Sequence, residues 1–245
     1  MSRRACFLLL LSLAICWQVG TPTQIRAQAK AKKASAKHLA VTNNKIVVCM
    51  QPLGRYNKHL LRASVRGIKY IYGFDVRVLP KQKMPKRVYY KPRRRWRADK
   101  ILDHYKATAW PKLKAKGCTF WMGFTGVDIS TTTETKKDWG ILGLAEIKGV
   151  VGVVSTYRTG RRLNKPHTRA RRTVKVINHE IGHLLGIPHI KGTGCLMNSA
   201  EGSVLTTDKE SGLLCTSSVN WIERQWGVTI PRHKKVNWSL IERKK

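Results

Sequence analysis

Acidic residues are scarce in this sequence: 13 Asp and Glu stand against 48 Lys and Arg among 245 residues, a formal charge of +35 at pH 7. An imbalance of that size bears on partners and solubility, not on fold. Long hydrophobic runs are also missing. No stretch of 18 or more apolar residues occurs in the body of the chain, which argues against an integral membrane protein. No internal repeat is present. The apolar content is nevertheless sufficient for a core. At 42% hydrophobic residues the chain is not a disordered one, and its length suits one domain or two small ones.

Residues 1–29 read as an export signal. Arg3 and Arg4 form a positive start, Ala5 to Val19 is an apolar stretch in which only Gln18 is strongly polar, and Ala27-Gln28-Ala29 is a cleavage site. The alternative, a retained membrane anchor, is disfavoured by the shortness of the apolar run. A chain beginning near Lys30 is thus expected in the periplasm or outside the cell. Cys6 and Cys16 leave with the signal. Cys49, Cys118, Cys195 and Cys215 remain, an even number for an oxidising compartment, which reads as two disulfides with three pairings open. Residues 30–44 read as a basic flexible tail, 45–230 as the folded domain and 231–245 as a basic C-terminal tail.

Within the domain, Lys45 to Pro52 reads as a buried strand and Asn57 to Gly73 as an amphipathic helix closed by its glycine. Phe74 to Leu79 alternates as a strand. Lys81 to Arg97 is crowded with basic residues and reads as a surface loop. Ala98 to Trp110 reads as a helix ended by Pro111, Cys118 to Ile129 as a third strand, and Ile141 to Tyr157 as one or two more. Thr168 can cap a helix running to about Leu185, and a last helix is expected between Asp208 and Trp226. Strands alternating with helices predict an α/β core.

From His179 the chain reads HEIGHLLGIPH, which fits H-E-x-x-H-x-x-G-x-x-H. His179 and His183, four apart on a helix, share one face and can reach one metal ion. Val174, Ile177, Ile181 and Leu184 occupy roughly the opposite face, for burial. Gly186 can turn the chain and Pro188 discourages further helix, so His189 can return as third ligand. Three neutral imidazoles around tetrahedral zinc leave a fourth position for water. Glu180, beside the first ligand, is placed to take that water's proton and pass it to a leaving amine. A chain of this composition carries the full template by chance roughly 2 times in 100,000, so the pattern carries the functional reading.

Cys195-Leu196-Met197 follows the third histidine, and after Met197 come 17 residues and then Cys215. This resembles the archaemetzincins, a family of the metzincin clan, whose pattern continues from the third histidine into C-x4-C-x-M-x17-C-x-x-C. GFTGVDIS at 123–130 and GVVGVVSTYR at 149–158 resemble the strand segments that precede the family's active-site helix. The resemblance covers about Lys45 to Trp226. It implies a zinc metallopeptidase with one catalytic Zn2+, and Met197 as the methionine packed beneath the zinc-binding histidines. It also implies a single metzincin-like α/β domain: a mixed twisted sheet with an antiparallel edge strand, an active-site helix, a Met-turn and a C-terminal helix. The cleft would lie between an upper sheet and a lower, irregular subdomain, with Leu142 to Lys148 as the candidate edge strand that pairs with extended substrate. This chain departs from the family where four cysteines bind a second, structural zinc: Ile190 and Ser218 replace two of them. Two thiolates are too few for a closed structural site. A Cys195–Cys215 disulfide is the expected substitute, with Cys49 and Cys118 forming the other.

Two basic clusters stand apart from this motif: Arg93 to Arg97 around Trp96, and Arg158, Arg161, Arg162, Lys165, Arg169, Arg171 and Arg172. They would steer acidic peptide or protein substrates or meet anionic envelope components; export disfavours nucleic acid. The expected function is a zinc metallopeptidase. The alternative is a polyanion-binding envelope protein whose zinc site no longer turns over.

Overall fold

β1 (Val47–Leu53), β5 (Phe120–Thr125) and β9 (Val151–Ser155) are buried almost throughout rather than on alternate residues, as strands covered on both faces must be. The computed structural model describes residues 46–161, 168–192, 194–199 and 203–243; the expected signal and the 30–44 tail lie outside the described residues. With β2 (Asp75–Val78) and β8 (Gly143–Ala145) these strands form a sheet in the order β2-β1-β5-β9-β8. All neighbours are parallel except β8, which runs antiparallel to β9 along the edge.

Helices cover both faces. α1 (Lys58–Tyr72) begins where the Asn57 side chain accepts from the Leu60 amide at 3.1 Å and ends at left-handed Gly73, φ 72°. It packs with α4 (Thr168–Leu184) over Val48, Met50, Phe120, Met122, Phe124 and Val154. The intervening side chains, Trp121, Val151 and Val153, point the other way. They meet Ile101, Leu102 and Tyr105 of α2 (Ala98–Thr108), which leads into the short α3 (Trp110–Ala115). The period of two along each strand therefore feeds two separate core layers. A disulfide joins Cys49 on β1 to Cys118, just before β5, with Cα atoms 5.8 Å apart.

The structure corrects three expectations. Pro111 does not end the helix over 98–110. It sits in the first turn of α3, where a missing backbone N–H costs nothing. The basic stretch 81–97 is not simply a surface loop. It contributes β3 (Tyr89–Tyr90) and β4 (Arg95–Arg97) to a second sheet, β3-β4-β6-β7, with β6 (Ile129–Thr131) and β7 (Trp139–Ile141). The reason is ionic: Arg95 bonds Asp128 at 3.0 Å and Asp138 at 2.5 Å, and Arg97 bonds Asp99 at 3.2 Å. Nor is 231–243 a free tail. After α5 (Val204–Lys209) and α6 (Thr216–Trp226), it folds back as α7 (Trp238–Glu242) and buries Ile241 completely. Arg66 donates to the Ile241 carbonyl at 2.7 Å, and His233 stacks on Tyr70 at 4.0 Å. Apolar residues spaced among the lysines supply the anchor that a solvated tail would lack.

Candidate active site

α4 carries His179 and His183 one turn apart, and the way the helix stops positions the third histidine. Gly186 adopts φ 97°, its amide donates to the His183 carbonyl at 2.8 Å, and the Ile187 amide donates to the Gly182 carbonyl at 3.0 Å. This paired closure satisfies helix-end carbonyls and reverses the chain. His189 Nε2 then lies 3.2 Å from the Nε2 atoms of both His179 and His183. Nitrogens about 2.0–2.1 Å from a tetrahedral zinc stand roughly 3.3 Å apart, so the cluster fits that ion. Among the described residues it is the one group of three or more potential ligands this close together.

The backbone fixes which nitrogens face the centre. His179 Nδ1 donates to the Leu196 carbonyl and His183 Nδ1 to the Ile187 carbonyl, each at 2.8 Å, which leaves their Nε2 lone pairs free. Burial is the main cause that holds all three imidazoles below their ordinary pKa, His179 at about 3, with further lowering of His179 by the neighbouring histidines. Burial thus favours the neutral form that a metal ion would require. Glu180 is 7% exposed, and burial pushes its carboxyl up to about 8.

The floor of the site is the tight turn Cys195–Asn198, closed by an Asn198 amide to Cys195 carbonyl bond of 3.1 Å. It supplies the Leu196 carbonyl to His179 and places fully buried Met197 against α4. Gly182 makes that contact possible: a Cβ there would overlap Met197 Sδ and stand 2.8 Å from its Cε. The turn is tied to the start of α6 by a Cys195–Cys215 disulfide, Cα atoms 5.0 Å apart. Ser218 Oγ lies 3.2 Å from Cys215 Sγ, so residue 218 occupies the place expected from the cysteine pattern.

Edge strand β8 runs directly against the glutamate. A Cβ on Gly143 would be 2.5 Å from Glu180 Oε1. Beside it opens a cavity of about 180 Å3 walled by Trp139, Ile141, Leu142 and Val176 and reaching His179, Glu180 and His189. Lys175 and Glu210 line it as well; the Lys175 ammonium is held by the Thr207 and Glu210 carbonyls at 2.8 and 2.6 Å. Reading the sequence missed Gly143, Gly182, Lys175 and Glu210, since nothing in their local pattern separates them from other residues of their kinds.

Residues 114–224 match the sequence profile of peptidase family M54. An archaemetzincin from Sulfolobus acidocaldarius is 33% identical over 128 residues, which cover 50% of this chain and 67% of that protein. The chain belongs to the archaemetzincins. An archaemetzincin from Haloarcula marismortui is 26% identical over 176 residues, covering 68% of this chain and 93% of its own. The crystal structure of archaemetzincin from Archaeoglobus fulgidus, complexed with malonate, matches with a TM-score of 0.60 at 25% identity. That match covers 72% of this chain and 99% of the other. As an archaemetzincin the chain is a zinc metallopeptidase acting on peptides or proteins, with the mixed α/β domain of its relatives. No helix among the described residues is long and apolar enough to cross a membrane.

Proposed function

We propose that His179, His183 and His189 hold a single zinc ion through Nε2 and that Glu180 is the general base of peptide-bond hydrolysis. The observation that carries this is that His189 Nε2 lies 3.2 Å from each of the other two Nε2 atoms while the Nδ1 atoms of His179 and His183 are committed to carbonyls. Zinc held by three neutral imidazoles supplies Lewis acidity, which polarises a substrate carbonyl and acidifies an attacking water.

The remaining work falls to the chain itself. Glu180 takes a proton from the attacking water at its carboxylate and delivers it to the nitrogen of the leaving amine. Burial raises its proton affinity, so the carboxyl holds a proton more readily than an exposed glutamate would. β8, the antiparallel edge beside Glu180, offers main-chain groups to an extended substrate. The Leu196 carbonyl holds His179 in place, and Met197 packs against the same helix at Gly182. Two disulfides fit an oxidising compartment and support export to the periplasm or beyond.

The polyanion-binding alternative loses its main argument. Arg95 and Arg97, with Arg158, Arg171 and Arg172 of the second cluster, are engaged by Asp or Glu of the same chain. Metal analysis with a peptide-library digest tests the proposal. One zinc per chain is expected, sharply weakened in His189→Ala. Glu180→Gln should keep its zinc and lose activity by about 100- to 10,000-fold. Two tightly held zinc ions per chain, or unchanged turnover in Glu180→Gln, would refute it.

A further inference from the structure

A cavity of about 560 Å3, apart from the metal site, collects arginines that no acidic side chain among the described residues engages. It opens where the chain leaves three parallel strands: Arg55 and Tyr56 follow β1, Gly126 follows β5, and Tyr157 and Arg161 follow β9. From β1 the chain crosses through α1 to β2 on one side, while β5 and β9 lie on the other. Chain order thus reverses between β1 and β5, and open α/β sheets take ligands in that crevice because the loops diverge there.

Among the described residues, the charges around it lack acidic partners. Of the arginines described between 158 and 172, Arg158 is held by Asp128, Arg171 by Glu242 and Arg172 by Asp208. Arg161 and Arg169 have no such partner among the described residues and line the cavity with Arg55. Arg161 lies over the Tyr157 ring at 5.6 Å. Arg169 Nη2 donates to the Thr156 carbonyl at 3.0 Å, and its buried Nε has no hydrogen-bond partner. Asp128, two residues past Gly126, is already shared by Arg95 and Arg158. Residues 162–167 contain no acid. α1 begins at the rim with no acidic residue in its first turn, so the positive end of its dipole faces further cations, Arg55 before it and Lys58 within it. Like charges gathered at a helix amino end oppose folding unless an anion sits among them, and such local conflicts mark functional sites.

We propose that this cavity binds a small multivalent oxyanion, a diphosphate or a compact phosphate ester, through Arg55, Arg161 and Arg169 at the amino end of α1. Guanidinium groups match tetrahedral oxyanions with paired, charge-assisted hydrogen bonds. Arg169 and His179 are ten residues apart on α4, about 15 Å of helix, so the site is separate from the metal centre and does not depend on the peptidase mechanism.

Titration calorimetry on the zinc-loaded chain in about 150 mM salt tests the proposal, with inorganic phosphate, diphosphate and a sulfated oligosaccharide as probes. One diphosphate per chain should bind saturably, and binding should persist when acetohydroxamate blocks the zinc. Arg55→Ala and Arg161→Ala should each weaken it about 10- to 100-fold and leave peptide hydrolysis unchanged. Arg169→Lys, which spares the helix, should weaken it in the same direction. A double Lys112→Ala, Lys114→Ala variant on exposed α3 removes more charge and should stay within about twofold. Four results overturn the site: no saturable binding at about 10 mM diphosphate; equal weakening in the lysine variant; loss on blocking the zinc; or binding of the sulfated oligosaccharide without diphosphate.

Discussion

Gly182→Ala adds one methyl group where α4 rests on Met197. Helix propensity alone favours the change by about 1 kcal/mol, because alanine loses less backbone entropy than glycine. The contact opposes it. The new Cβ would overlap Met197 Sδ, stand 2.8 Å from Met197 Cε and 3.4 Å from the Tyr72 hydroxyl. Ordinary contacts of this kind lie near 3.5–4.0 Å, so the methionine must retreat by about 1 Å. Met197 has no exposed surface into which to move, and overpacking of a closed core costs about 1–3 kcal/mol. A net loss near 1 kcal/mol follows, read by denaturant unfolding of the zinc-loaded protein. Because the neighbouring Leu196 carbonyl holds His179, zinc affinity should also fall, by about 10-fold or more. A second background makes the sign diagnostic. Met197→Ala alone should cost about 2–5 kcal/mol through the cavity it leaves, and within it Gly182→Ala should turn stabilising by about 1 kcal/mol. Stabilisation by Gly182→Ala in the wild-type background, or the same sign in both, would refute the reasoning.

Gly143→Ala should push Glu180 aside, since its Cβ would lie 2.5 Å from Oε1. A fall in kcat of about 10- to 100-fold with zinc content unchanged is expected, and an unaltered kcat would remove β8 from the site. Reduction of Cys195–Cys215, or a Cys195→Ser, Cys215→Ser variant, should cost on the order of 3 kcal/mol for a loop of this span. Zinc and activity should be lost before global unfolding, because the same turn carries Leu196 and Met197; coincident loss in a denaturant titration would contradict this. In the metal-free protein the histidines titrate below 6.5 when folded, His179 near 3, whereas unfolded histidines take protons near 6.5. The unfolded state therefore binds more protons as pH falls, so stability is present above 6.5 and lost between 6.5 and about 3. His179→Ala should flatten that slope in urea unfolding measured against pH; an identical slope would count against the shift.

The cluster of three histidines was legible in the sequence because its geometry is local. A period of 3.6 puts His179 and His183 on one face, and a glycine three residues later closes the helix so that His189 returns within ten residues of the first ligand. The same short-range logic marked both ends of α1, at Asn57 and Gly73, and the buried strands β1, β5 and β9. Other features depend on partners far along the chain. Arg95 and Arg97 left a predicted basic loop for the interior because Asp128 and Asp138, more than thirty residues on, receive Arg95. Four cysteines allowed three pairings until the Met-turn lay against α6 and β1 against the approach to β5. Gly143 meets Glu180, Glu210 joins the cavity beside the three histidines, and Arg55 comes to line one cavity with Arg161 only once the sheet order is set. Local turns are encoded by the conformational preferences of a few adjacent residues. Contacts between distant segments carry a loop-closure entropy that no residue offsets alone, so they are decided only when the packed sheet and helices form together.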